Sequence, residues 1–147
     1  YDLKPQVAMI IGIGNDLVDI NRIKKSIDRF GDRFTNRIFT PQEQMRADNS
    51  THRIAVYAKR FAAKEAAWKA LGDGARSGIK WIELSVVNVE NGKPKLVLTG
   101  TAEKILKELI PPGMKPRLDL SLSDEPPLAQ ALVVISADTK ENELFRR

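Results

Sequence analysis

The apolar pattern begins at Met9-Ile10-Ile11-Gly12-Ile13-Gly14, a β-rich run that predicts a first strand. From about Val18 to Phe30 the period changes, with Ile20, Ile23, Ile27 and Phe30 recurring at helical intervals. Gly31 breaks that helix, and a short second one is predicted over Arg33 to Phe39. Thr40-Pro41-Gln42-Glu43 reads as an N-cap with proline at the first helical position and Glu43 placed for a capping box. The longest helix is predicted from about Thr51 to Leu71. Alanines at 55, 58, 62, 63, 66, 67 and 70 favour it and permit close packing, and Gly72-Asp73-Gly74 ends it.

The second half is dominated by strands. Trp81 to Val89 and Lys95 to Thr99 flank Glu90-Asn91-Gly92-Lys93-Pro94, whose Asn-Gly is a hairpin signal. A helix from Thr101 to Ile110 closes at Pro111-Pro112-Gly113. Two more strands, near Arg117 to Ser123 and Leu128 to Ala137, are joined by a turn containing Pro126-Pro127. Hairpin-like strands beside separate helices predict an α+β fold, a mainly antiparallel sheet packed against a long central helix. The expected organisation is one domain over 9–138, a leader over 1–8 and a polar tail over 139–147.

Composition narrows the chemistry. Apolar residues make up 42% of the chain and charged residues 29%, ordinary for a globular protein. No run approaches the roughly 18 apolar residues of a membrane span, and the start lacks the features of a secretory signal, so a cytoplasmic protein is expected. There is no cysteine and one histidine, His52, which excludes disulfides, thiolate nucleophiles and multi-histidine metal clusters. Carboxylates, lysines, arginines and hydroxyls must carry any reaction. The net charge of +5 suits an acidic partner or a phosphate-rich ligand. It also suits a non-catalytic module that binds RNA, but aromatics are only 6% of the chain and show no stacking pattern, so nucleic acid is not the expected partner.

Four stretches could carry chemistry. Gly12-Ile13-Gly14-Asn15-Asp16 lets the backbone approach a neighbour closely and leaves Asp16 at the expected strand end, where it could equally cap the next helix. It lacks the third glycine of a dinucleotide fingerprint and the lysine of a P-loop. In Arg60-Phe61-Ala62-Ala63-Lys64-Glu65-Ala66-Ala67-Trp68-Lys69, Glu65 and Lys69 share one helix face. Such a pair is commonly a solvated one, but small and apolar neighbours leave little wet face, and a part-buried carboxylate needs a cation. Leu118, Leu120 and Leu122 alternate with Asp119, Ser121 and Ser123, with Asp124 next; a pocket edge and a half-exposed strand share that pattern. Arg22, Lys25 and Arg29, continued by Arg33 and Arg37, form a basic side: a solvated face or a dock for an acidic protein.

Taken in order, Ile11 to Val18 with Arg22, Phe39 to Glu43, Arg60 to Ala66 with Lys69 to Gly72, Asn91 to Pro94, and Leu120 to Ser123 resemble the bacterial holo-acyl-carrier-protein synthase family of 4′-phosphopantetheinyl transferases. The resemblance runs from Met9 to about Ile135. It implies a homotrimer with active sites between subunits, moving 4′-phosphopantetheine from coenzyme A to a serine of acyl carrier protein for fatty acid biosynthesis. It further implies Mg²⁺ held by Asp16 and Glu65, Lys69 at the coenzyme A pyrophosphate, and Arg60, Lys64, Gly72, Lys93 and Pro94 near the coenzyme. Arg22, Arg29, Arg33 and Arg37 would face the carrier protein. Glu65 is the candidate base for the serine proton, with Lys69 neutralising developing charge. Asp124 stands where many relatives have histidine, so that residue's role does not transfer, although Asp124 remains a candidate catalytic position. The reading requires Asp16 and Glu65 to meet in one cleft.

Overall fold

The protein was analysed as a computed structural model that describes residues 7–72 and 78–139. Five strands and five helices occur among them: β1 (Ala8–Asp19), α1 (Ile20–Phe30), α2 (Asp32–Ile38), α3 (Pro41–Asp48), α4 (Arg53–Leu71), β2 (Leu84–Asn88), β3 (Pro94–Leu98), α5 (Gly100–Leu109), β4 (Met114–Glu125) and β5 (Leu128–Thr139). β1, β5 and β4 form a three-stranded antiparallel sheet with β5 central, and β2 and β3 form a separate hairpin. The expected α+β architecture is what the chain adopts.

β1 differs from the expectation in length. It does not stop at Gly14 but stays paired with β5 through Asp19, opposite Leu128, after one bulge between Ile10 and Gly12. The helix therefore starts at Ile20 rather than Val18. Asp19 is its cap, accepting a hydrogen bond from Asn21 N–H at 2.9 Å. Asp16 is a mid-strand residue, so its reading as a helix cap is corrected. The sheet also takes in the end of the expected leader, since the Thr139 amide donates to the Val7 carbonyl and Ala8 pairs with Asp138. Residues 1–6 and 140–147 lie outside the described residues.

α4 packs across this sheet through its alanines. Ala62, Ala63 and Ala66 are fully buried, as are Ala129, Ala131 and Ala137 of β5. Small side chains on both surfaces bring the helix close to the strands. At β1 the approach is closer still, because a Cβ on Gly12 would overlap the Ala70 carbonyl oxygen and one on Gly14 that of Ala66. Gly12, Gly14 and Asp16 alternate onto the same face of β1, so the glycines that admit α4 also place Asp16 beside it.

The other side of α4 is fixed by a buried ion pair. Lys64 is 0% exposed and donates to Glu43 Oε1 at 2.7 Å and to the carbonyls of Trp81 (3.2 Å) and Leu84 (3.0 Å). Glu43 also closes the expected capping box of α3 with Thr40 and accepts from the Val86 amide at 3.0 Å. The strand expected from Trp81 begins only at Leu84. Residues 81–83 form a 3₁₀ turn whose Trp81 carbonyl serves Lys64, while Glu83 accepts from the amides of Lys80 and Thr101 and so ties the turn to the start of α5.

Candidate functional site

Asp16 and Glu65 share one cluster. Lys69 Nζ donates to Asp16 Oδ1 and to the Asn15 carbonyl, both at 3.0 Å, which fixes the C-terminal half of α4 against β1. Asp16 is mostly buried, with its side chain 15% exposed, whereas that of Lys69 is 54% exposed. Burial pushes the Glu65 carboxyl above the usual carboxylate range, and the Asp16 charge pushes it further, while Lys69 and Arg22 oppose the rise. Two carboxylates and two cations thus converge where β1, α1 and α4 meet. Among the described residues no group of three or more His, Cys, Asp or Glu side chains could hold a metal. A pair of hard carboxylates does suit Mg²⁺, which often takes one or two and completes its shell with phosphate oxygens and water.

From this cluster a cleft of about 600 Å³ opens between α2 and α4. Phe30, Phe34, Ile38, Phe61 and Trp81 provide its apolar wall, Arg22, Arg33 and Arg37 its cations, and Glu65 its acid. Phe61 stacks on Trp81 with centroids 5.6 Å apart, and Trp68 meets Trp81 edge-on at 4.8 Å. Arg29 does not line this cleft; its guanidinium lies 5.0 Å from the Phe30 ring centroid. Asp28, the acid of α1, is taken up by Lys24 at 2.7 Å, while α2 carries Asp32 ahead of Arg33 and Arg37.

A second cleft, of about 580 Å³, lies between α3 and β2 and is lined by Arg46, Asn49, Ser50 and Asn88 among others. Arg60, 4% exposed, stands behind it and donates to Asn88 Oδ1 at 2.7 Å, while its Nε has no partner among the described residues. Asn88 in turn donates to the Gly92 carbonyl at 2.9 Å, so Arg60, Asn88 and the turn carrying Lys93 form one connected unit. Lys93 donates its amide to Asn91 Oδ1, and Pro94 starts β3. Arg46 and Asn88 were missed in the sequence, where neither belongs to a recognisable motif.

Lys64 is a correction to the expected ligand-contacting set. All three of its ammonium hydrogens are engaged inside the protein and its side chain has no exposed surface, so it is a core residue. Gly72 closes α4 with φ +88°, its amide donating to the Lys69 carbonyl at 3.1 Å; the expected continuation at Asp73 and Gly74 lies outside the described residues. Asp124 is not brought to Asp16 within the chain. It sits opposite Ala129 on the far side of β5, two strand spacings or about 10 Å from β1, and pairs with Lys59 of α4 at 3.0 Å. Lys59 is a partner the sequence did not suggest.

Comparison with known proteins places this geometry. The family described as the 4′-phosphopantetheinyl transferase superfamily matches residues 12–113. A holo-acyl-carrier-protein synthase of Rhizobium leguminosarum bv. trifolii is 55% identical over 129 residues, which is 88% of this chain and 96% of the relative. The crystal structure of the synthase from Neisseria meningitidis superposes with a TM-score of 0.74 at 38% identity, covering 86% of this chain and 98% of that one. The Helicobacter pylori synthase, solved in complex with coenzyme A, superposes at 0.67 with 27% identity over 84% of this chain and 98% of its own. On the strength of the matched segment and the level of identity, the chain belongs to the 4′-phosphopantetheinyl transferase superfamily and, within it, to the holo-acyl-carrier-protein synthases.

Proposed function

We propose that the protein transfers 4′-phosphopantetheine from coenzyme A to a serine hydroxyl of apo acyl carrier protein, releasing adenosine 3′,5′-bisphosphate. The observation that carries this reading is the meeting of Asp16, Glu65, Lys69 and Arg22 at the head of an arginine-rimmed cleft. Asp16 and Glu65 would hold Mg²⁺, which when bound neutralises charge on the diphosphate. Lys69, already at the carboxylates, reaches outward to the same phosphates. In the step itself the serine oxygen forms a bond to the phosphorus that carries pantetheine, and the bond from that phosphorus to the bridging oxygen of the diphosphate breaks. The serine proton goes to Glu65, the carboxylate that lines the cleft.

The two clefts divide the partners. Arg22, Arg33 and Arg37 with the Phe34 and Phe61 wall suit an acidic, amphipathic surface of the carrier protein, with Arg29 at the edge. Arg46 and Arg60 with Asn88, Lys93 and Pro94 suit the anionic nucleotide end of coenzyme A. A homotrimer is supported by the outer face of the large sheet, where Ile10, Ile13, Leu17, Leu128 and Leu132 are 40 to 63% exposed. A cytoplasmic role in fatty acid biosynthesis fits these partners, and no helix among the described residues is long and apolar enough to cross a membrane.

The decisive experiment incubates the protein with coenzyme A, Mg²⁺ and apo carrier protein and weighs the carrier by mass spectrometry. A gain equal to phosphopantetheine that disappears with EDTA supports the reading. An unchanged carrier mass under the same conditions overturns it.

A further inference from the structure

Lys69 occupies an unusual position for a residue whose natural ligand is a phosphate. Two of its ammonium hydrogens are engaged within the protein, by Asp16 Oδ1 and the Asn15 carbonyl, each at 3.0 Å. Asp16 is fixed in the middle of a paired strand and largely buried, while Lys69 has a flexible four-carbon stem and is more than half exposed. Of the two partners, Lys69 is the one that can move.

The charges around it are balanced. Asp16 and Glu65 contribute two negative charges, and Lys69 and Arg22 two positive ones, so the cluster exerts little net pull on a divalent ion. A metal that takes Asp16 must share that carboxylate with the ammonium or displace it, and Mg²⁺ demands near-octahedral geometry at about 2.0–2.1 Å from its oxygens. The diphosphate of the donor changes this balance. It offers Lys69 a stronger anion than Asp16, lying outside the strand and within reach of an exposed side chain.

We infer that Lys69 is an internal counter-ion that competes with the divalent metal for Asp16, so that the metal binds firmly only when coenzyme A draws the ammonium away. Lys69 then adds to the positive coupling between metal and coenzyme A that shared phosphate oxygens already give, and by linkage each raises the affinity of the other by the same factor. Lys69 acts on the metal through Asp16 as a positioning residue, besides any contact it makes with phosphate. This inference rests on the reading of Asp16 and Glu65 as the metal's carboxylates.

The test is a Mn²⁺ titration followed by the free-ion electron paramagnetic resonance signal, run with and without coenzyme A on the full chain. Lys69→Met removes the ammonium from an exposed position, and Lys69→Arg keeps the charge. The expected result is that Lys69→Met binds Mn²⁺ about tenfold more tightly than the unaltered protein in the absence of coenzyme A, and that added coenzyme A tightens it less. Lys69→Arg should retain the weak affinity and the coupling. Equal or weaker Mn²⁺ binding by Lys69→Met overturns the inference while leaving the metal reading intact. Absence of Mn²⁺ binding in every variant, with or without coenzyme A, removes the metal reading itself and the inference with it.

Discussion

Gly14 of β1 lies so close under α4 that a Cβ there would overlap the Ala66 carbonyl oxygen. The contact is with backbone, which cannot rotate aside as a side chain can. It sets the distance between helix and strand, and with it the spacing between Asp16 on β1 and Glu65 on α4.

Substituting Gly14 should therefore act on both stability and chemistry. Gly14→Ala must push α4 away from β1 or bend the strand, at a cost of about 3 kcal/mol. The protein that remains folded should lose turnover because Asp16 on β1 and Glu65 on α4 are no longer held at the spacing a shared metal needs. Urea denaturation with a matched turnover assay would show both losses. A fully stable, fully active Gly14→Ala would mean that the approach of helix and strand is looser than the structure describes.

Lys64 and Glu43 test a different joint of the fold. The pair links α4 to α3 and β2 with no exposed surface on either side chain. Lys64→Met leaves a buried carboxylate without its cation, and the expected loss is about 3–5 kcal/mol. Pairing it with Glu43→Gln should recover part of that loss, because the stranded charge is removed. Equilibrium denaturation of the single and double variants measures the difference. If the double variant were less stable than Lys64→Met, residual charge would not be the cause of the loss.

The outline of the fold was legible because most elements obey local rules. Thr40 to Glu43 announced a helix start that is present, and alternation marked β4. Local rules failed where tertiary contacts decided the outcome. Gly12, Gly14, Asn15 and Asp16 are turn formers, so the strand was expected to end among them; the nearness of α4 and the pairing with β5 keep it running to Asp19. In Lys64-Glu65 the sequence could not say which neighbour is buried, since about 100° of helix separates them. The answer depends on Glu43, a residue whose capping role concealed its second partner. Arg46, Asn88 and Lys59 belong to no motif and became visible only through the clefts and pairs they join.

The arginine-rimmed cleft makes a prediction about substrate recognition. Arg33 lines it, while the Glu65 carboxyl feels Arg22 and Lys69 as its cationic neighbours, so Arg33→Glu reverses a docking charge and spares the cluster. KM for the carrier protein should rise about tenfold at low salt, and the gap should narrow as salt screens both proteins. KM for coenzyme A should stay near its original value. Equal changes in both constants would argue against a docking role for this rim.

Glu65 carries the prediction with the clearest sign. Its folded pKa is raised by burial first and by Asp16 second, above the ordinary 4.5. Between those two values the folded protein holds a proton that the unfolded chain has released. The contribution of Glu65 to stability is thus fully present below 4.5 and is lost as pH rises through the folded pKa. Ionised Glu65 is consequently a burden on the fold at neutral pH. Glu65→Gln removes that burden and should raise the melting temperature at pH 7, with the gain vanishing below pH 4.5. As base, the same carboxylate must be ionised, so Glu65→Gln should lower kcat by about 10²–10⁴ and remove the acid limb that this carboxyl contributes. Calorimetry across pH and the pH–rate profile examine the two halves separately. A variant that is inactive yet no more stable at pH 7 would detach the chemistry from the strain, while one that keeps normal turnover would remove Glu65 from the reaction.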